Sequence, residues 1–139
     1  MVFSDFHFFS DVLNIHTAAY ILLPEPKVVA QSASPVPVLY LLHGLSDDHT
    51  MWLRQTRVEL FARRYRLAVV MPAVNRSFYM DMAHGAKYET FIARELPSVI
   101  ERYFPVCRKR SGRFIAGLSM GGYLSLIHIS EPTRLRCIS

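Results

Sequence analysis

Cysteine is scarce in this chain. Cys107 and Cys137 are the only two among 139 residues, which excludes a disulfide framework and leaves no cysteine metal site. Long apolar runs are also missing; none approaches the roughly 18 residues that a membrane span needs. The N-terminus, MVFSDFHFFSDVL, has no basic segment and carries Asp5 and Asp11 among its apolar residues, which does not fit a secretory leader. Charge of one sign is in only modest excess: 16 Lys and Arg against 11 Asp and Glu give a net charge of +5. It is spread along the chain, whereas nucleic-acid binding usually shows as a clustered basic face. The expectation is therefore a cytoplasmic protein whose partner is neither membrane nor nucleic acid. What the chain does have is apolar content, at 51% against 19% charged, enough for one domain with a buried core.

Val2–Phe9 is rich in aromatics and 15–23 carries Ile, Ala, Tyr and Leu, so both read as strands, with Asn14 as the turn of a hairpin. Pro24 and Pro26 end the second run, and residues 30–37 read as a loop. Three short continuous apolar runs follow, Val38–Leu42, Leu67–Met71 and Phe114–Ala116. Runs of this kind suit strands buried on both faces, as in a parallel sheet. Between them lie two helical stretches. The first covers about Met51–Tyr65, with Asp48 placed to cap it. The second covers Thr90–Phe104, where Ile92, Leu96, Val99, Ile100 and Tyr103 share one face and Pro97 should kink or restart the helix. Alternating buried strands and amphipathic helices predict an α/β domain with a mostly parallel sheet, helices on both faces and an antiparallel N-terminal edge.

The third run ends in Gly117-Leu118-Ser119-Met120-Gly121-Gly122, a G-x-S-x-G pattern directly after a strand. A strand that turns sharply into a helix holds its Ser in a strained conformation with Oγ exposed, and the flanking Gly residues avoid a clash within the turn. That makes Ser119 a candidate nucleophile. The following helix N-terminus and the Met120 N–H are placed to stabilise an oxyanion. A second donor is needed from the loop after the first buried strand. There the chain reads Leu41-Leu42-His43-Gly44-Leu45. Gly44 lets the backbone approach an acyl group closely, and Leu45 is the candidate donor.

Taken together, VLYLLHGL (Val38–Leu45), Trp52-Leu53, VVMP (Val69–Pro72), ELP (Glu95–Pro97), RYFP (Arg102–Pro105) and FIAGLSMGGY (Phe114–Tyr123) resemble the esterase D-like branch of the α/β-hydrolases. The likeness is greatest to the small bacterial tributyrin-type esterases, with S-formylglutathione hydrolases as relatives, and runs from about residue 3 to residue 123. It implies the N-terminal part of an α/β-hydrolase that hydrolyses short acyl esters through an acyl-enzyme on Ser119. Leu45 and Met120 would form the oxyanion hole, and Trp52 and the Tyr79–Asp81 segment would lie near the acyl or alcohol pocket. No cofactor and no metal are implied. The partner is a small-molecule acyl ester, and a homo-oligomer of the full-length protein stays open. Rival activities on the same fold are S-formylglutathione hydrolase, acetylxylan or feruloyl esterase, and acyltransferase. A rival of another class is a non-catalytic interaction module.

The chain departs from this family after the elbow. The triad of α/β-hydrolases runs Ser, then Asp or Glu, then His. His128 and Glu131 follow Ser119 in the wrong order, and on a continuing helix His128 would lie about 13 Å along the axis, out of reach. Leu124–Arg134, LSLIHISEPTR, resembles the in-frame translation of a transposase adapter used in sequencing libraries, at every position. The expectation is a partial hydrolase domain over 1–123 and a non-native tail over 124–139, in which Cys137, His128 and Glu131 have no role. The resulting fragment should be inactive.

Other groupings carry less chemistry. Asp47-Asp48-His49 reads as a polar loop opening a helix rather than a metal site, because adjacent residues rarely converge on one ion. Asp81 and His84 read as surface loop residues. His43 is placed to orient the oxyanion loop rather than to act as base. Arg63, Arg64, Arg66 and Arg108-Lys109-Arg110 read as solvated helix ends and loops, with no Gly-rich phosphate loop beside them.

Overall fold

The computed structural model describes residues 1–27, 34–75 and 87–122, together with the backbone of 136–137. Strands β1 (Val2–Ser10) and β2 (Ile15–Leu23) form the expected antiparallel hairpin, paired from Val2↔Leu23 to Ser10↔Ile15. Asn14 turns it with φ of 56°, a left-handed conformation that asparagine tolerates better than most residues. The hairpin turn is pinned from a distance. Glu95 Oε1 accepts from the Asp11 and Val12 N–H groups at 2.8 and 3.2 Å, and its Oε2 accepts from Ser10 Oγ. Ser10 Oγ in turn accepts from the Leu13 N–H at 3.0 Å. Hydrogen bonds to a charged group are each worth about 1.5–3 kcal/mol, and here one carboxylate serves three donors. Glu95→Ala is expected to lower stability by roughly 3 kcal/mol. It should also raise amide exchange at Asp11 and Val12 selectively; unchanged exchange there would refute this anchoring role.

The buried runs form β3 (Val38–Leu42), β4 (Ala68–Pro72) and β5 (Arg113–Gly117). With a two-residue β6 (Arg136–Cys137) they complete a sheet of order β1-β2-β4-β3-β5-β6. β2 meets β4 antiparallel, and β4, β3, β5 and β6 run parallel. All five β4 residues are buried, as a strand covered on both faces requires.

Side-chain alternation sorts the core into two layers. Val38, Tyr40, Leu42, Val70 and Ile115 point to one face with Phe91, Ile92, Leu96 and Ile100. Leu41, Val69 and Met71 point to the other with Ala62, Trp52 and Leu53.

The first expected helix is divided into α1 (Met51–Gln55) and α2 (Val58–Tyr65). Thr56 breaks it: its Oγ donates to the Trp52 carbonyl and accepts from the Val58 N–H at 3.2 Å, closing one helix and opening the next. Asp48 does not cap α1 with its side chain; the carboxylate accepts from Thr50 N–H and Oγ–H at 2.8 and 2.5 Å, just ahead of the helix. Those hydrogen bonds hold the Asp48 carboxyl below the usual range.

The second helix, α3, covers 88–103 without a break. It is α-helical over Tyr88–Thr90, π-helical over Phe91–Glu95 and α-helical again over Leu96–Tyr103. Pro97 accounts for the wide turn, since it lacks an N–H and its ring crowds the carbonyl four residues back. The Leu96 N–H reaches Phe91, five residues back. The same turn brings Glu95 to the hairpin. Among the described residues no helix is long and apolar enough to cross a membrane.

Candidate active site

β5 ends at Gly117, and the Leu118 N–H still donates to the Leu42 carbonyl of β3 at 3.3 Å. The chain then reverses through one residue. Ser119 has φ of 53°, and helical backbone begins at Met120. A non-glycine residue in this region costs on the order of 1–2 kcal/mol, so the surroundings must hold it there. They do so by close approach. A Cβ on Gly117 would stand 2.5 Å from the Gly121 carbonyl carbon, and one on Gly121 would stand 2.7 Å from Leu42 Cβ and 2.8 Å from Leu42 O. Neither glycine has positive φ, so contact rather than backbone freedom requires them. The Gly121 N–H closes the turn onto the Leu118 carbonyl at 3.0 Å. Ser119 is exposed at the C-terminal end of the parallel strands, while Met120 is buried beneath it.

The loop after β3 lies beside this turn. A Cβ on Gly44 would stand 3.7 Å from the Leu118 carbonyl. His43 is 1% exposed and engages both ring nitrogens. The Val74 N–H donates to Nε2 at 3.1 Å, so the proton sits on Nδ1, which meets the Gly44 carbonyl at 2.7 Å. This imidazole joins the β3 and β4 loops. It also sets the direction of one peptide group. With the Gly44 carbonyl turned to His43 and the bond trans, the Leu45 N–H points the opposite way.

A cleft of about 320 Å³ opens beside Leu45, lined by Leu45, Ser46, Asp47 and Asn75. Asn75 is itself in the left-handed region, with φ of 51°, and its Nδ2 donates to Tyr88 Oη at 2.9 Å. Sequence reasoning did not single out Asn75, although an Asn soon after a strand-ending proline is a signal for such a turn. It read Asp47 only as loop. Trp52 is not among the residues lining this cleft; its Nε1 donates to the Leu42 carbonyl at 3.2 Å, under the elbow, and its ring packs on the α1–α2 side of the sheet. Tyr79, Asp81, His84, His128 and Glu131 lie outside the described residues. The His49 ring meets Tyr20 edge-on at 4.8 Å, and its partial burial lowers its pKa. Among the described residues no three His, Cys, Asp or Glu side chains are grouped to hold a metal ion.

The fold that carries this strand, strained serine and neighbouring loop has counterparts in known proteins. The Esterase family model, described as "Putative esterase", matches residues 10–134. The chain belongs to the Esterase family. An acetyl esterase of Caldicellulosiruptor saccharolyticus is 33% identical over 132 residues, covering 91% of this chain and 50% of that protein. Among solved structures, fluorophosphonate-binding serine hydrolase F of Staphylococcus aureus superposes with a TM-score of 0.87 at 34% identity, covering 96% of this chain and 54% of that one. An S-formylglutathione hydrolase of Staphylococcus aureus follows at 0.84 and 33%, with the same coverage. The fold is that of the α/β-hydrolases, and the chain spans about half the length of these esterase relatives.

Proposed function

We propose that the protein represented by this chain is a serine carboxylesterase acting on short acyl esters through an acyl-enzyme on Ser119. The observation that carries this reading is Ser119 itself, exposed and held at φ of 53° where β5 meets a helix, next to the Gly44–Leu45 loop. In the reaction Ser119 Oγ attacks the ester carbonyl as its proton passes to a base. The N–H groups of Leu45 and Met120 hold the developing oxyanion, the alcohol leaves with a proton, and water then releases the acid. His43 is not the base, because both of its ring nitrogens are committed to the Gly44 and Val74 backbone. It serves instead to aim the Leu45 N–H.

We further propose that residues 124–139 are not native and that the acid and the histidine of the triad lie in a continuing reading frame. The family match overlaps residues 124–134, so this proposal stands on the adapter resemblance. It has physical support at β5. Among the described residues, Phe114 and Ile115 are the β5 residues paired with β6, and Ile115 is the buried one while the other four are half-buried. A sheet edge with so short a pairing is an aggregation liability. The 139 residues produced alone are expected to be poorly soluble and without esterase activity; a monodisperse monomer with a cooperative melt and ester turnover would refute this.

Adapter-free source DNA read across codon 123 tests the frame, and hydrolysis of a short p-nitrophenyl ester by the uninterrupted product tests the activity. The likeness to an S-formylglutathione hydrolase favours a second reading with a thioester substrate on the same serine. Relative turnover of S-formylglutathione and p-nitrophenyl acetate separates the two. A continuing frame without an Asp and a later His would favour a non-catalytic module.

A further inference from the structure

We infer that Asp47 is a specificity-determining residue that selects against esters carrying a negative charge, an inference that rests on the esterase reading above. Asp47 lines the cleft that opens beside Leu45, whose N–H is the proposed oxyanion donor. Its carboxylate folds back over the loop, with Oδ2 3.0 Å from the place a Cβ on Gly44 would take. The Asp47 N–H donates to the Gly44 carbonyl at 3.2 Å, which closes a tight turn from Gly44 to Asp47. Among the described residues no cation forms an ion pair with it. Among the described residues, the other polar groups lining the cleft, Ser46 and Asn75, are neutral.

On this inference, a substrate whose carbonyl oxygen sits at the Leu45 N–H and whose flanking atoms enter the cleft meets the Asp47 carboxylate there. A neutral or hydroxylated substituent meets a hydrogen-bond acceptor there. A carboxylate meets a like charge. At about 6 Å and an effective dielectric of about 40, that repulsion corresponds to roughly tenfold in kcat/KM. Specificity of this kind arises from a repulsive element rather than from added contacts.

The test uses the uninterrupted esterase and three substrates: neutral p-nitrophenyl acetate, mono-p-nitrophenyl succinate with its charge on the acyl side, and 4-acetoxybenzoate with its charge on the alcohol side. The quantity read is the ratio of kcat/KM for each anionic ester to that for the neutral one, corrected for each ester's non-enzymatic reactivity, including attack of the succinate's own carboxylate on its ester. Asp47→Asn is expected to raise that ratio about tenfold for whichever anionic ester uses the cleft, whereas Asp47→Glu, which keeps the charge, leaves it low. Added salt should raise the wild-type ratio and leave the Asn variant's ratio unchanged. Equal ratios in wild type and Asp47→Asn, or a ratio indifferent to salt, would overturn the inference while leaving the esterase reading intact. No turnover of the neutral ester by the wild type would overturn both.

Discussion

Replacing Ser119 by alanine is expected to lower kcat for a short p-nitrophenyl ester by about 10⁴-fold or more in the uninterrupted protein, since loss of an acyl-enzyme nucleophile costs on that order in serine hydrolases. Replacing it by glycine should abolish turnover to the same extent. The two variants should part in stability. Ser119 sits at φ of 53°, where a Cβ is unfavourable and glycine carries no penalty. The glycine variant should therefore be more stable than the alanine variant by on the order of 1 kcal/mol. Because Ser119 is exposed, neither change opens a cavity. Urea unfolding alongside the activity assay checks both halves. An active alanine variant removes Ser119 from the mechanism, and equal stability of the two variants removes the claim that the elbow stores strain.

The second large effect is on folding. Gly121→Ala would place a methyl group 2.7 Å from Leu42 Cβ and 2.8 Å from the Leu42 carbonyl oxygen. The obstacle is the end of β3, which is fixed by its pairing with β5 and cannot swing aside as a flexible side chain would. Overpacking of this kind costs about 3 kcal/mol, a large share of the 5–15 kcal/mol that holds a typical domain together. Any relaxation must push the helix away from the sheet and so move the Met120 N–H, which adds a loss of activity to the loss of stability. Gly122→Ala is the contrast. Its Cβ would stand 3.4 Å from the Gly117 carbonyl oxygen, and an alanine there changes stability by only about 0.5 kcal/mol. Denaturation midpoints of the two variants measure the difference. Equal midpoints would mean that the helix does not lie against β3 as closely as described.

Much of this was legible along the chain. The hairpin follows from two aromatic and branched runs around Asn14, and β3, β4 and β5 follow from short apolar runs that no amphipathic helix could use. G-x-S-x-G after a strand marks Ser119 because that spacing serves a local need, one sharp turn with no Cβ on either side. The division of the first helix was not legible. Thr56 is only a mildly unfavourable helix residue by type, too weak a signal to mark a break, and it divides the helix because its hydroxyl bonds Trp52 and Val58 at once. Asp48 stands at a capping position by spacing, yet Thr50 takes its carboxylate before the helix begins.

Sequence alone determined the α/β class, the strand order along the chain and the serine at the elbow. All three rest on local patterns, the alternation of apolar residues and the backbone demands of one turn, which neighbouring residues decide among themselves. The tertiary structure decided what depends on groups far apart in the chain. Glu95 reaches the hairpin turn across more than eighty residues, and His43 fixes the Leu45 peptide by bridging to Val74. Asp47 and Asn75 become walls of one cleft only once β3 and β4 lie side by side. Such contacts are set by how the sheet and helices pack, and no local spacing encodes that.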